Sequence, residues 1–421
     1  MKLLIVGGGF AGFTLARALN NDKDFDIVLI DRFNYHQFQP LFYQVATGGL
    51  DASNISFPLR KAFQKSKNVR IRLANLLEID HENNKAITDI GEFDYDALIL
   101  ATGADTNFFG NEQITKYAYP MKATVQAIQL RNAIIENFEN ALVAETEEEL
   151  DSLMTVVVVG GGPTGVELSG ALGEMRRWVL PKDYPELDFR KMRIFLVEGS
   201  SKTLGTMSEK SSAQSRKYLE ELGITVVTNT VVKEYNGKWV VLSSGQKINS
   251  SVVIWAAGIK GNVPEGANPK WIARGNRLIV DRFSKVMGTE NIYALGDIAH
   301  METELYPSGH PQVANVAINQ AKTLAGNLRK KLRNKDQVRF EYEDKGSLAT
   351  VGRYRAVVDF PGGKLHFGGA FAWFVWMSLH LILLLGTKNR LQVLINWAYK
   401  YFTYDQSLRL IFKEFNKPGK T

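Results

Sequence analysis

Residues 3–19 read LLIVGGGFAGFTLARAL, and residues 155–172 read TVVVVGGGPTGVELSGAL. Each stretch is an apolar run of strand length, a run of three glycines and then a helix-forming segment. Within them, Gly7, Gly9 and Gly12, and again Gly160, Gly162 and Gly165, fall at the spacing Gly-x-Gly-x-x-Gly. The first glycine of such a loop makes a tight turn, the second lets backbone approach a pyrophosphate, and the third lets helix pack close to strand. The helix then presents its unpaired N–H groups to the phosphates. One copy alone is weak evidence, because a glycine-rich strand-to-helix turn is often purely structural. Here each copy is followed by a second strand that ends in an acid, Asp31 and Glu198, suited to accept ribose hydroxyls. Asp31 lies 19 positions past Gly12, whereas Glu198 lies 33 past Gly165. An insertion around Trp178–Phe189, containing Pro181 and Pro185, accounts for the excess.

Outward from these loops, Leu3–Val6, Ile27–Ile30 and Leu98–Leu100 lack apolar–polar alternation, as do Thr155–Val159, Ile194–Val197, Thr225–Val227 and Val252–Trp255. Runs of that kind are buried on both faces, as in parallel α/β sheets. The expected fold class is therefore α/β: two Rossmann-like dinucleotide-binding domains plus a C-terminal amphipathic helical region that associates with a membrane. The domain reading is 1–120 with 276–345, then 121–275, then 346–421. An acidic helical stretch from about Val125 to Asp151 reads as solvated and as a connector between domains. Met1-Lys2 and the apolar run after it mimic a leader, but the glycines interrupt it; the expectation is a buried strand and no signal peptide.

The chain has 421 residues, beyond what one core usually organises. It contains no cysteine, which excludes disulfide, thiolate-metal, Fe–S and redox-thiol chemistry. Its six histidines show no metal-ligand spacing, so no metal is expected. The net charge of +7 is uneven: residues 387–421 carry seven Lys and Arg against Asp405 and Glu414. A basic tail on a near-neutral body points to an anionic surface. Cations spread among apolar faces match no nucleic-acid recognition module, so no nucleic acid is expected.

Ala101-Thr102-Gly103 and Ala256-Ala257-Gly258 each follow a strand, and Gly296-Asp297 follows the short run Asn291–Leu295. With the two loops, these residues resemble the two-dinucleotide flavoprotein reductases over about residues 1–345. The resemblance implies non-covalent FAD at Gly7, Gly9, Phe10, Ala11, Gly12, Asp31, Arg32, Thr102, Gly103, Asp297 and Ala317. It implies NADH at Gly160, Gly162, Thr164, Gly165, Glu167, Glu198 and Gly258. Glu198 should repel a 2′-phosphate and so favour NADH over NADPH. A helix beginning near Gln312 is expected to turn its N-terminal N–H groups toward the reduced flavin.

The absence of cysteine excludes the branches of that family that place working thiols beside the flavin. The segment Asn34-Tyr35-His36-Gln37-Phe38-Gln39-Pro40-Leu41-Phe42-Tyr43-Gln44-Val45-Ala46-Thr47-Gly48 instead closely resembles the type II NADH dehydrogenases. Those are single-chain, non-proton-pumping NADH:quinone oxidoreductases of membrane surfaces. The likeness extends to Gly162–Leu168, to Ala256–Ile259, and to the tail from Trp397 to Ile411. It implies a quinone near Gln44, Asn315, Asn319 and Gln320, a homodimer, and a peripheral position on the cytoplasmic face of the inner (cell) membrane. Two departures stand out. Asn315 and Asn319 replace glutamines, and Ala171 stands where many members carry a glutamate proposed to help protonate quinone. Glu174, on the same helix face, is the candidate replacement. A small acidic protein acceptor, or a non-enzymatic redox-sensing role, are the alternative readings.

Ala370–Gly386 is apolar and free of Lys, Arg, Asp and Glu, but at 17 residues it is short of the roughly 20 needed to span a bilayer. A buried or interfacial segment is expected. Leu391, Leu394, Ile395, Ala398 and Phe402 fall on one helical face, and Leu408, Ile411, Phe412 and Phe415 suggest a second. Basic and aromatic residues around such faces are typical of helices lying in the headgroup plane.

Overall fold

The computed structural model describes residues 1–361 and 365–412, which form two compact units. The first comprises Met1–Gln37, Ser56–Asp105 and Ile259–Glu343; the second comprises Phe38–Ile55, Thr106–Gly258 and the chain from Asp344.

Each unit is built on a five-stranded parallel sheet with the glycine-loop strand in the middle. In the first, the order is Ile292–Ala294, Ala97–Leu100, Lys2–Val6, Asp26–Asp31, Val69–Leu73. In the second it is Tyr119–Pro120, Val252–Trp255, Thr155–Val159, Arg193–Val197, Thr225–Val227. The registers correspond as well: Lys2 lies opposite Asp26 and Val6 opposite Ile30, as Thr155 lies opposite Arg193 and Val159 opposite Val197. Every residue of Thr155–Val159 is buried, which is why the strand shows no alternation. The strands expected from the sequence are present to within a residue or two.

The insertion before Glu198 is also present. After helix Pro163–Glu174 the chain makes a π-turn at Met175–Val179 and a short helix at Leu180–Asp183 before strand Arg193–Val197. The acidic stretch forms helix Thr124–Ala141 and helix Glu147–Leu153, both inside the second unit. Thr146 caps the latter by accepting the Glu149 N–H at 3.1 Å, and three exposed glutamates in its first turn complement the helix dipole.

From Ser347 the second unit adds an antiparallel sheet of Ser347–Thr350, Ala356–Asp359 and His366–Gly369, then helices Ala370–Leu383 and Thr387–Thr403. No helix among the described residues is long and apolar enough to cross a membrane. The first helix buries Trp373, Trp376 and His380, and the second buries Val393 and Trp397. Both leave apolar side chains outside: Phe371, Phe374 and Ile382 on one, Leu391, Ile395 (62% exposed) and Phe402 (79%) on the other.

The second helical face is corrected by the structure. Residues 404–412 form no helix, and Phe415 lies outside the described residues. Hydrogen bonds and ion pairs, most of them to distant residues, hold this segment. The Leu408 N–H donates to Gly48 O at 3.2 Å, Arg409 pairs with Asp183 and Asp405, and the Asn132 amide donates to Phe412 O at 2.7 Å. Other tail cations are engaged internally too: Arg390 donates to Leu384 O and Ile382 O, and Lys400 pairs with Glu174.

Candidate functional site

In the first unit, the loop glycines do what their spacing requires. Gly7 has φ +107°, a conformation open to glycine, and a Cβ there would overlap the Ala101 carbonyl. A Cβ at Gly12 would overlap Gly7 O, so strand and helix close tightly. Around Gly9, by contrast, a Cβ would meet no atom within 4 Å, leaving open space at the helix start. Asp31 is held by two backbone donors: the Gly8 N–H reaches Oδ2 at 2.5 Å and the Phe33 N–H reaches Oδ1 at 2.6 Å. Burial raises its pKa against those hydrogen bonds. His36, a residue that the motif alone does not single out, fixes the loop from below. Burial lowers its pKa to about 4, so the ring is neutral, and its Nδ1–H donates to Gly8 O at 2.9 Å. The ring packs against Phe10 and Phe13.

The same unit carries the other residues expected to hold the flavin. Thr102 is clamped to Asn262 by two hydrogen bonds of 2.7 and 3.1 Å, and Gly103 follows at φ +68°. Arg32 is exposed and lies over the Phe33 ring. Gly296, ahead of Asp297, packs against Ala317 and Ala11, and its N–H donates to Gln320 Oε1 at 2.8 Å. Gln312 donates to Asp297 O at 2.8 Å, and the helix begins at Ala314, two residues after Gln312. On that helix Asn315 and Asn319 share a half-buried face, while Gln320 is turned inward and buried.

The second unit repeats the first loop almost atom for atom. Gly160 has φ +109° and crowds Ala256; a Cβ at Gly165 would overlap Gly160 O; around Gly162 the space is open. Glu198 receives the Gly161 N–H on Oε2 at 2.5 Å and the Ser200 N–H on Oε1 at 2.7 Å. Thr164 is exposed at the helix start, and Gly258 lies at φ +76° against the Phe109 ring. Glu167 is buried on the far side of its helix. It accepts the Thr350 N–H and the Trp376 Nε1–H, both at 3.3 Å, and burial raises its pKa to about 8.

Glu167, Ala171 and Glu174 are four and three positions apart, on one face of helix Pro163–Glu174. That face borders a narrow pocket whose walls include Tyr43, Gln44, Trp373, Trp376, Trp397 and Lys400. Glu174 is 4% exposed; it accepts the Arg353 N–H, and its other oxygen lies 3.1 Å from Lys400 Nζ. Glu174 and Arg353 also line a wider cavity of about 360 Å³ with Arg177, Trp178, Glu221 and Arg355. Gly170 makes this arrangement possible: a Cβ there would lie 2.6 Å from Gly352 N, so only glycine lets the 350–353 backbone reach both carboxylates. No group of three or more His, Asp and Glu suited to a metal occurs among the described residues.

Comparison with known proteins gives the family. Residues 1–321 match the pyridine nucleotide-disulphide oxidoreductase family, and residues 345–403 match the NDH2 C-terminal domain. The chain is 32% identical over 421 residues to the type II NADH:quinone oxidoreductase Ndh of Mycobacterium tuberculosis, covering 96% of this chain and 88% of the relative. It is 33% identical over 417 residues to NdhA of the same organism, covering 95% and 87%. Among solved structures, NDH2 from Plasmodium falciparum in complex with NADH superposes with a TM-score of 0.87 at 23% identity, covering 98% and 99%. The sulfide:quinone oxidoreductase of Aquifex aeolicus gives 0.72 at 19% identity over 95% of each chain. At these identities the structural likeness speaks for the fold.

Proposed function

Since the chain belongs to the pyridine nucleotide-disulphide oxidoreductases and, among them, to the type II NADH:quinone oxidoreductases, we propose how its residues divide the work of that reaction. The protein is an FAD-dependent oxidoreductase that takes electrons from NADH and delivers them to a quinone. FAD, when bound, supplies the chemistry no side chain here has, accepting a hydride and giving up two electrons. The cradle at Gly7, Gly9 and Gly12 fits its pyrophosphate, and Asp31 keeps lone pairs for its ribose beyond the two N–H groups it already accepts. We assign Phe10, Ala11, Arg32, Thr102, Gly103, Asp297 and Ala317 to the same cofactor. Gly160, Gly162, Thr164 and Gly165 would hold the NADH pyrophosphate, and Glu198 its ribose, with its charge set against a 2′-phosphate. Gly258 would border the same nucleotide. Glu167, which faces Thr350 and Trp376, would then act on NADH only through the helix it helps to seat.

The observation that carries the quinone assignment is the pocket on the Glu167–Ala171–Glu174 helix face, walled by three tryptophans and reached by Gln44. Aromatic walls suit a quinone ring, and Gln44 gives that wall its polar edge. By the family resemblance alone we also assign Asn315, Asn319 and Gln320 to the quinone, Gln320 through its hold on Gly296. Glu174 supplies the proton in this reading, because it borders both the aromatic pocket and the wider polar cavity. The exposed apolar side chains of residues 370–403 would lie in the surface of the inner (cell) membrane on its cytoplasmic side. Because Arg390, Lys400 and Arg409 are engaged internally, attraction to anionic lipid would rest on Lys388 and the cations beyond residue 412. A homodimer is part of the same proposal. A small acidic protein acceptor, or a sensing role, would leave both the aromatic pocket and this face without a use.

The test is NADH oxidation by detergent-solubilised protein with a short-chain quinone, and with NADPH as control. Fast quinone-dependent loss of NADH but not NADPH is expected. A yellow protein that NADH reduces but quinone leaves reduced would contradict the assignment.

A further inference from the structure

A short hydrogen-bond chain beside the second-unit pocket has a direction that donor and acceptor chemistry decides. An indole nitrogen only donates, so the Gln44 atom 2.7 Å from Trp397 Nε1 is the amide oxygen. The other end of the amide, Nε2, also only donates, and it lies 2.8 Å from Tyr43 Oη. The Tyr43 oxygen is therefore the acceptor in that bond, and its own proton must point away from Gln44. Among the described residues no acceptor receives it. Tyr43, Gln44 and Trp397 are all buried, and all three line the same pocket. Of the other lining residues, Ala171 carries no polar side-chain atom, and Glu174 and Lys400 are paired with each other.

We propose that Tyr43 donates its phenolic hydrogen bond to a carbonyl oxygen of the quinone and stabilises the negative charge that develops there, with Gln44 and Trp397 as positioning residues. This rests on reading the pocket as the quinone site. Preorganised donors aimed at developing charge in a dry site are among the strongest catalytic devices available. A chain of bonds all running one way also polarises its last member. Burial pushes the Tyr43 phenol well above its ordinary value, assisted by the Glu167 charge, so it remains a donor throughout the physiological range. In this arrangement Gln44 serves through the phenol it orients.

The experiment compares wild type, Tyr43→Phe, Gln44→Glu and the double variant as full-length holoenzymes with a short-chain quinone. Tyr43→Phe is expected to lower kcat/KM for quinone by about 10- to 100-fold. NADH reduction of the bound flavin, recorded on the same sample, reports that the rest of the enzyme is in order. A carboxylate at position 44 accepts from both the indole and the phenol, which reverses the last bond and draws the Tyr43 proton inward. Its loss should therefore match that of Tyr43→Phe, and the double variant should be no worse than either. Quinone affinity, followed by quenching of the pocket tryptophans, should weaken less than turnover. Wild-type quinone turnover by Tyr43→Phe, or losses that multiply in the double variant, would overturn the proposal while leaving the quinone reading intact. A wild-type enzyme that ignores quinone would overturn both.

Discussion

Asp31 and Glu198 occupy equivalent places in two sheets, and each spends one oxygen on the middle glycine of its run of three, Gly8 or Gly161, and the other on the residue two positions past the acid. Their identity as the strand-ending acids is legible in the sequence, because each directly follows a buried apolar run. Glu174 is different. Its helix face is legible, but its partners Arg353 and Lys400 come from far along the chain. If it delivers the proton, Glu174→Gln should slow quinone turnover by roughly 10- to 100-fold and flatten its pH profile. Reduction of the bound flavin by NADH should proceed as in wild type. Steady-state pH profiles together with the isolated NADH half-reaction would measure this, and unchanged turnover across pH would end the role given to Glu174.

Helix Pro163–Glu174 is the element on which the proposed nucleotide and quinone sites both rest. Its N-terminus opens from the second glycine loop, and its far face meets the C-terminal sheet at Gly170. Gly170→Ala would set a Cβ against the Gly352 backbone and force the two apart, at a cost of about 1–3 kcal/mol. Thermal unfolding should show that loss, together with weakened quinone turnover. Helix Thr387–Thr403 is the other informative element. Its apolar spacing is legible, and the Leu391, Ile395 and Phe402 face is exposed. Ile395→Asp with Phe402→Asp should abolish sedimentation with lipid vesicles while the detergent-solubilised enzyme keeps its NADH half-reaction. Residues 404–412 mislead, since their helical spacing loses to hydrogen bonds with Gly48 and Asn132 that no local pattern announces.

At the scale of the molecule, the duplicated parallel sheet is the most readable feature, because burial on both faces removes alternation and the glycine spacing marks each central strand. The pocket is the least readable. Gln44 and Trp397 are 353 positions apart, and Tyr43 gains meaning only once that contact exists. Buried titratable groups also set how stability varies with pH. His36, His310 and His380 are all lowered to about 4 by burial, so stability is lost as pH falls from about 6.5 toward 4. Glu167 is raised to about 8, so its folded form holds a proton that the unfolded chain has given up; stability is lost as pH rises through that range. Thermal unfolding should therefore be most cooperative and highest in midpoint near pH 6–7, and Glu167→Gln should flatten the alkaline side.

In the proposed division of labour, NADH chemistry and quinone chemistry use separate residues, and the quinone is reduced at the aromatic pocket beside Ala171. Anaerobic stopped-flow of wild type and Ala171→Leu separates the two half-reactions. Leucine would fill the pocket wall without touching either glycine loop. Flavin reduction by NADH is expected at the wild-type rate, with reoxidation by quinone slowed at least tenfold. Reoxidation at the wild-type rate in the filled pocket would contradict it.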